Sequence, residues 1–285
     1  MYSVQVVAEP QIGHNEQLSV MFVGGPNQRK DYHIEEGEEL FYQTKGDMCL
    51  KVVEQGKSRD IIIKEGQIFL LPARIPHSPN RFENTVGLVI ERRRTEEELD
   101  GLRYYVDDQN TDRLFERWFH VTNLGTQLPP LIKEYFTSEE YHTRKPREDS
   151  FPKVTPFPID DKISVGDPFY LSDWLTKHSE DLKNGPVSLF PDKFQMQVIV
   201  RSNGDHTIQS QIELWLWQIR GKSTIRNNTE NESYNLNETD ALYLNANSKH
   251  LHKQILKNTH FRLQKYYTIR NDAPLLFQKM INRIN

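Results

Sequence analysis

Asp31-Tyr32-His33-Ile34-Glu35-Glu36-Gly37-Glu38-Glu39 and, further along, Leu71-Pro72-Ala73-Arg74-Ile75-Pro76-His77 decide how this chain reads. Each phrase joins a short apolar run to turn-forming residues. Each also carries side chains able to bind a metal: His33 and Glu39 in the first, His77 in the second. Two imidazoles and one carboxylate suit a ferrous ion and leave coordination positions open for substrate and O2. The fold and the chemistry are therefore proposed by the same residues.

Working outward, the first half has a β texture. Apolar runs at residues 40–42, 48–53, 61–63, 68–71 and 86–90 are separated by Gly37, Gly46-Asp47, Glu54-Gln55-Gly56 and Glu65-Gly66. Short strands at this spacing predict a sandwich or barrel. Residues 112–118 read as a helix with Leu114, Phe115 and Trp118 on one side. Pro129-Pro130 is expected to open a second helix, carrying Leu131, Ile132, Tyr135 and Phe136. Residues 143–160, rich in charge and proline, read as a linker. A further helix is expected over 172–182, burying Trp174, Leu175 and Leu182.

The β texture then returns as an echo of the first half. Trp215-Leu216-Trp217-Gln218-Ile219-Arg220-Gly221 parallels Leu40-Phe41-Tyr42-Gln43-Thr44-Lys45-Gly46 without a gap, and Asp240-Ala241-Leu242-Tyr243-Leu244 parallels Gly66-Gln67-Ile68-Phe69-Leu70. From Gly46 to His77 is 31 residues, and from Gly221 to His250 is 29. One barrel unit is duplicated. In the second copy Ile208 stands where His33 stands and Leu214 where Glu39 stands; only His250 remains. The second unit is therefore expected to be metal-free and structural, covering a surface or edge of the first barrel.

Composition excludes several classes. The 285 residues suffice for one large or two ordinary domains, and a net charge of −4 argues against nucleic-acid or anionic-membrane binding. No apolar run approaches the roughly 20 residues of a membrane span. Met1-Tyr2-Ser3-Val4-Gln5-Val6 lacks the basic and apolar regions of a secretory signal. The lone Cys49 has no disulfide partner and reads as a small buried residue, which fits a reducing, cytosolic setting. Three Asn-x-Ser/Thr triplets, starting at Asn227, Asn231 and Asn237, then belong to a polar hairpin region. The remaining histidines show no ligand spacing with a partner. Trp215 and Trp217 share a strand face in the second core or between the barrels.

The spacing of His33, Glu39 and Gly46, followed by Gly66, Pro72, Arg74 and His77, resembles the two cupin motifs. Glu35 stands where many cupins carry another histidine, Arg74 where they carry Gly, and Arg81 where they carry Asn. The flanking sequence is more specific. Met21-Phe22-Val23-Gly24-Gly25-Pro26-Asn27-Gln28-Arg29-Lys30-Asp31-Tyr32-His33, the stretch from Phe69 to Pro79, and Val86-Gly87-Leu88-Val89-Ile90-Glu91-Arg92-Arg93-Arg94 resemble the 3-hydroxyanthranilate 3,4-dioxygenase family in its animal-type, two-cupin form. The segment before residue 16 is shorter than in animal members, and the Cys-ligated second iron site of bacterial members is missing.

The resemblance implies two cupin (jelly-roll) barrels in tandem with a few short helices: a catalytic domain over 1–147, a linker over 148–164 and a metal-free cupin domain over 165–285. It implies Fe(2+) as cofactor, held by His33, Glu39 and His77, and extradiol cleavage of 3-hydroxyanthranilate by O2. The product, 2-amino-3-carboxymuconate semialdehyde, leads to quinolinate and NAD. Substrate binding falls on Glu39, Arg81 and Glu91, O2 contact on Arg29, and the catalytic roles on Arg29 and Glu91. Arg81 offers a planar fork to the substrate carboxylate. Glu91 either accepts a hydrogen bond from substrate or takes a proton. Arg29 is placed to stabilise charge on reduced oxygen. Salt bridging is the alternative role for all three, and the run Arg92-Arg93-Arg94 reads as a solvated charge run. Two other readings stay open: another cupin oxygenase or isomerase with the same ligands, and a bicupin binding protein with a vestigial site. The duplication favours a monomer.

Overall fold

The structure is a computed structural model that describes residues 2–7, 18–107, 112–209, 213–227, 232–244 and 249–255. Its first strands are β1 (Tyr2–Val7), β2 (Leu18–Gly24), β3 (Tyr32–Ile34), β4 (Glu39–Lys45), β5 (Met48–Glu54) and β6 (Lys57–Ile63). Next come β7 (Gln67–Leu71), β8 (His77–Arg81), β9 (Val86–Arg92), β10 (Asp100–Tyr105) and β11 (Arg113–Phe119). Helices α1 (Leu124–Thr137) and α2 (Glu139–Thr143), strand β12 (Phe169–Tyr170), and helices α3 (Leu171–Lys177) and α4 (Ser179–Asn184) follow. The chain continues with β13 (Val187–Ser188), β14 (Gln197–Arg201), β15 (Gly204–Gln209), β16 (Leu214–Arg220) and β17 (Lys222–Asn227). The last elements among the described residues are β18 (Glu232–Leu236), β19 (Ala241–Leu244) and β20 (Lys249–Ile255).

Contacts divide the chain into two units. In the unit built on residues 18–179, one sheet runs β12-β7-β4-β9-β2 and the other β11-β10-β3-β8-β5-β6. Without the flanking strands, the order is 2-9-4-7 in one sheet and 3-8-5-6 in the other. That interleaving is the double Greek key of a jelly roll. Its turns are written in the sequence. Gln55 and Gly56 both have positive φ (50° and 72°), the geometry of a tight hairpin, and Gly46 turns β4 into β5 at φ 64°. Between the sheets lie Phe41, Met48, Leu50, Ile63, Phe69 and Val89.

The second unit repeats the plan. One sheet contains β14-β1-β16-β19 and the other β15-β20-β17-β18. Here β16 takes the place of β4, β19 of β7, and β14 of β2. The place of β9 is filled by β1, which pairs with β14 and β16 from the far end of the sequence. The registers confirm the repeat residue by residue: Ile208 faces His250 across β15 and β20, as His33 faces His77 across β3 and β8. Gln218 donates to the Arg220 carbonyl much as Gln43 donates to that of Gly46. Ile208 and Leu214 pack in an apolar core with Leu216, Ile225, Leu236, Leu242 and Leu244.

Several expectations need correction. The boundaries 1–147, 148–164 and 165–285 do not follow the contacts, because β1 completes the second barrel's sheet and β12 extends the first barrel's. The supposed linker is strapped to the first unit. Ser150 and Phe157 are buried, and Ile163 and Val165 pack on the first core. Glu54 receives hydrogen bonds from the Val165 amide (2.6 Å) and the Ser164 hydroxyl (3.0 Å). Residues 113–119 form a strand, not a helix, paired with β10. Leu114 and Phe115 are both buried, so no alternation betrays the strand. Helix α1 begins at Leu124 and carries Pro129 and Pro130 inside it. The Gln127 side chain accepts from the Thr122 and Asn123 amides (2.8 Å each) and so starts the helix earlier than the prolines suggest. The helix expected over 172–182 is broken at His178 into α3 and α4.

Other expectations stand. Cys49 is buried, and burial pushes its thiol up. Trp215 and Trp217 stack at 6.1 Å. Of the Asn-x-Ser/Thr triplets, residues 228–231 lie outside the described residues, as do His14 and His260.

Candidate active site

His33 and His77 are directly paired across β3 and β8, with ring centroids 5.3 Å apart. Glu39 and Glu91 are directly paired across β4 and β9 in the opposite sheet. His77 Nε2 lies 3.0 Å from Glu39 Oε2, so the two sheets meet at this cluster inside the first jelly roll. All four side chains are buried. The expected ligands His33, Glu39 and His77 are thus neighbours, although 44 residues separate the outermost pair in sequence.

Each imidazole has one nitrogen already committed. His77 Nδ1 is 2.9 Å from the Ile75 carbonyl oxygen, and His33 Nε2 is 2.6 Å from Asp100 Oδ2. Such bonds fix the ring and leave the other nitrogen for a ligand role. Glu35, just past the end of β3, joins the cluster. His33, Glu35 and His77 present ligand atoms within 4.8 Å of one another, and so do Glu35, Glu39 and Glu91. Both Glu35 oxygens are buried without a donor in hydrogen-bonding geometry.

Electrostatics separates the carboxylates. Burial opposes ionisation of Glu39, but His77, His33 and Arg81 hold its carboxyl below the usual range. Burial pushes Glu91 up, Glu39 and Asp100 push it further, and Arg94 opposes. Glu35 is driven up by burial and by Glu91, Glu39 and Asp100, against the pull of Arg94. Burial also pushes His33 down, favouring the neutral ring that a ligand needs. So many carboxylates in one dry site call for a cation. The donor set of two imidazoles and carboxylates, with Glu35 Oε1 buried and without a hydrogen-bond donor, fits a divalent metal ion.

The expected substrate residues line up differently. Arg81 is two strand repeats beyond His77 and on its face. It is 4% exposed and its Nε makes no hydrogen bond. Burial, together with the charge of Arg29, pushes the Arg81 guanidinium down. Glu91 sits beside Glu39, 3.0 Å from Arg94 Nη1. Arg29 is occupied by Asp31, to which its Nε donates at 3.0 Å, and its backbone amide donates to Asn80 Oδ1 at 2.8 Å. The solvated-run reading of the three arginines fails for two of them. Arg92 is clamped to Glu98 by two bonds (2.7 and 2.6 Å), and the Arg94 side chain is 5% exposed among Glu35, Glu91 and Asp100. Sequence reasoning missed Asp100 and Arg94. No local spacing links them to His33; the pairing of β10 with β3 brings in Asp100, and Arg94, just beyond β9, joins through Asp100.

A jelly-roll barrel with a buried two-histidine, carboxylate-rich centre that could hold a metal ion defines the cupin class. The chain belongs to the 3-hydroxyanthranilic acid dioxygenase family, whose model matches residues 5–136. It is therefore an oxidoreductase of dioxygenase type. It is 56% identical over 214 residues to the 3-hydroxyanthranilate 3,4-dioxygenase of Homo sapiens, covering 74% of each chain. It is 53% identical over 235 residues to that of Bos taurus, covering 82% of this chain and 81% of the other. Among solved structures it is similar to the oxalate decarboxylase of Bacillus subtilis, at TM-score 0.41 and 16% identity over 88% of this chain and 68% of that one.

Proposed function

We propose that this chain is an Fe(II)-dependent extradiol dioxygenase that converts 3-hydroxyanthranilate and O2 to 2-amino-3-carboxymuconate semialdehyde. This is the ring-opening step that leads to quinolinate and NAD from tryptophan by the kynurenine route. The observation that carries the reading is the buried, unpartnered Nε of Arg81 on the same strand face as His77. A guanidinium left in that state is poised for a carboxylate that arrives with a ligand.

His33, Glu39 and His77 are the residues we assign to the metal. A ferrous ion held there supplies open positions for substrate oxygen and O2 and polarises both. The rest belongs to side chains. Arg81 takes the substrate carboxylate and fixes the ring in one orientation. Glu39 stays anionic, as a ligand must. Glu91, pushed the other way, is suited to hold or accept a proton at the substrate's polar groups. Arg29 faces oxygen once it leaves Asp31, and stabilises charge developing there. The second barrel, whose corresponding positions are Ile208 and Leu214, is a structural copy without a metal. We place the protein in the cytosol as a monomer with small-molecule partners only. The buried, unpaired Cys49 and two barrels supplied by one chain support this. No described helix is long and apolar enough to cross a membrane.

The test is anaerobic Fe(II) loading, then addition of O2 and 3-hydroxyanthranilate while ultraviolet absorbance is followed for the ring-opened product. Absence of product with iron bound would sink the proposal.

A further inference from the structure

We infer that Arg94 is a positioning residue that ties the metal side of this site to its substrate side. The inference rests on the metal-site reading above. The Arg94 side chain is 5% exposed and reaches three carboxylates. Its Nε lies 3.0 Å from both Asp100 oxygens, and its Nη2 lies 2.7 Å from Oδ2. That same Oδ2 is 2.6 Å from His33 Nε2. Its Nη1 is 3.0 Å from Glu91 Oε2, and its Nη2 is 2.8 Å from Glu35 Oε2. A last bond, Nη1 to the Arg92 carbonyl at 3.2 Å, anchors the fork to β9.

Each contact has a chemical consequence. Asp100, held by the guanidinium fork, accepts from His33 Nε2–H. This fixes the ring plane and the tautomer, leaving Nδ1 as the ligand nitrogen. Glu91, held by Nη1, keeps its place beside Glu39. One rigid side chain thereby sets the relative position of a metal ligand on β3 and a substrate-side carboxylate on β9, in opposite sheets. Lysine cannot replace it, because a single ammonium lacks the fork that spans these groups.

A positioning role and a bare electrostatic role predict opposite signs. Removing a cation from beside a site lined with carboxylates should, by charge alone, tighten binding of a divalent ion. Removing a positioning residue should weaken it.

The experiment measures Co(II) affinity of the full chain by chelator competition, without oxygen or substrate, and records the visible Co(II) bands. Arg94→Met should bind Co(II) roughly 10–100-fold more weakly, with altered bands. Arg94→Lys should not restore the wild-type value. Asp100→Asn, which keeps the shape and removes the charge, should weaken binding similarly. The double variant should be no worse than the worse single one, because both act through His33. Unchanged or tighter binding in Arg94→Met, or additive losses in the double variant, would overturn the inference. Should Arg94→Met not fold, Arg94→Lys and Asp100→Asn decide it: wild-type affinity in both overturns it. His77→Ala separates the two levels, since wild-type Co(II) affinity there would mean that the metal-site reading itself has failed.

Discussion

Replacing Arg81 by leucine should cost the enzyme its grip on the substrate carboxylate while sparing the fold. Arg81 ends β8, where its backbone amide donates to the Asn27 carbonyl at 2.8 Å and its carbonyl accepts from the Asn27 amide at 2.9 Å. Those bonds survive any side-chain change. The guanidinium is buried with Nε unpartnered, so its desolvation is already borne by the folded protein. A carboxylate bound bidentately then gains two charge-assisted hydrogen bonds, each worth about 1.5–3 kcal/mol. Their joint loss of about 3–6 kcal/mol corresponds to a fall of roughly 10²–10⁴ in kcat/KM. The loss should appear chiefly in KM. Steady-state assays with 3-hydroxyanthranilate and with 2-aminophenol, which lacks the carboxylate, isolate the contact. Arg81→Leu should lose activity on the first and leave the second near its low wild-type level. Arg81→Lys should recover about tenfold through charge without the fork. Equal losses on both compounds would show that Arg81 supports the fold or the metal instead, and an unchanged KM would remove the clamp altogether.

Three further outcomes follow from packing and charge. Glu140 is buried against Ser150 Oγ (2.6 Å) and Arg147 Nε (3.2 Å); burial opposes its ionisation, but these bonds pull its carboxyl from 4.5 to about 2. A depressed carboxyl stabilises the fold above its unfolded value and loses that contribution as pH falls from about 4.5 through about 2. By linkage this is at most ~3 kcal/mol, and about half that with half-exposed Arg147 screened by solvent, so Glu140→Gln should lower Tm at pH 7 and far less at pH 2. Equal Tm losses at the two pH values would refute the assignment. Deleting residues 2–7 removes the strand between β14 and β16, at about 0.2–1 kcal/mol per cross-strand pair. Hydrogen exchange should rise in β14 and β16 and not in β4 or β9; uniform exchange would contradict the strand's place in the second barrel. At Gly87, an added Cβ would come within 2.2 Å of Gln43 Oε1, whose amide group secures the Gly46 carbonyl. Gly87→Ala should cost about 1–3 kcal/mol in denaturant unfolding, and Gln43→Ala in the same chain should recover part of it; no recovery would exonerate Gln43.

Most of the first barrel was legible because its strands are short, apolar and punctuated by Gly46, Gln55-Gly56 and Gly66. The neighbourhood of the proposed ligands His33, Glu39 and His77 was legible through spacing along β3, β4 and β8. The repeat was legible from Gln43 and Gln218 with their following glycines, and it located Ile208 and Leu214 in advance. The rest needed three dimensions. Leu114 and Phe115 lie on opposite faces of β11 yet both are covered, so the periodicity that marks a strand vanished. The docking of residues 150–165 depends on a few apolar side chains scattered among prolines, which composition cannot weigh. Asp100 stands beside His33 only because β10 pairs with β3, and Arg94, just beyond β9, reaches His33 only through Asp100. The use of β1 in the second barrel joins the two ends of the sequence, and no local pattern announces a pairing of that range.

We propose that one barrel of two holds a single catalytic ferrous ion on His33, Glu39 and His77. Anaerobic Fe(II) titration of the wild-type chain, with turnover of 3-hydroxyanthranilate measured at each point, tests it directly. Activity should rise linearly and stop at one iron per chain, and folded His33→Ala and His77→Ala should neither retain the ion nor turn over. Two functional ions per chain, or full activity in either variant, would rule out a single iron on these three residues.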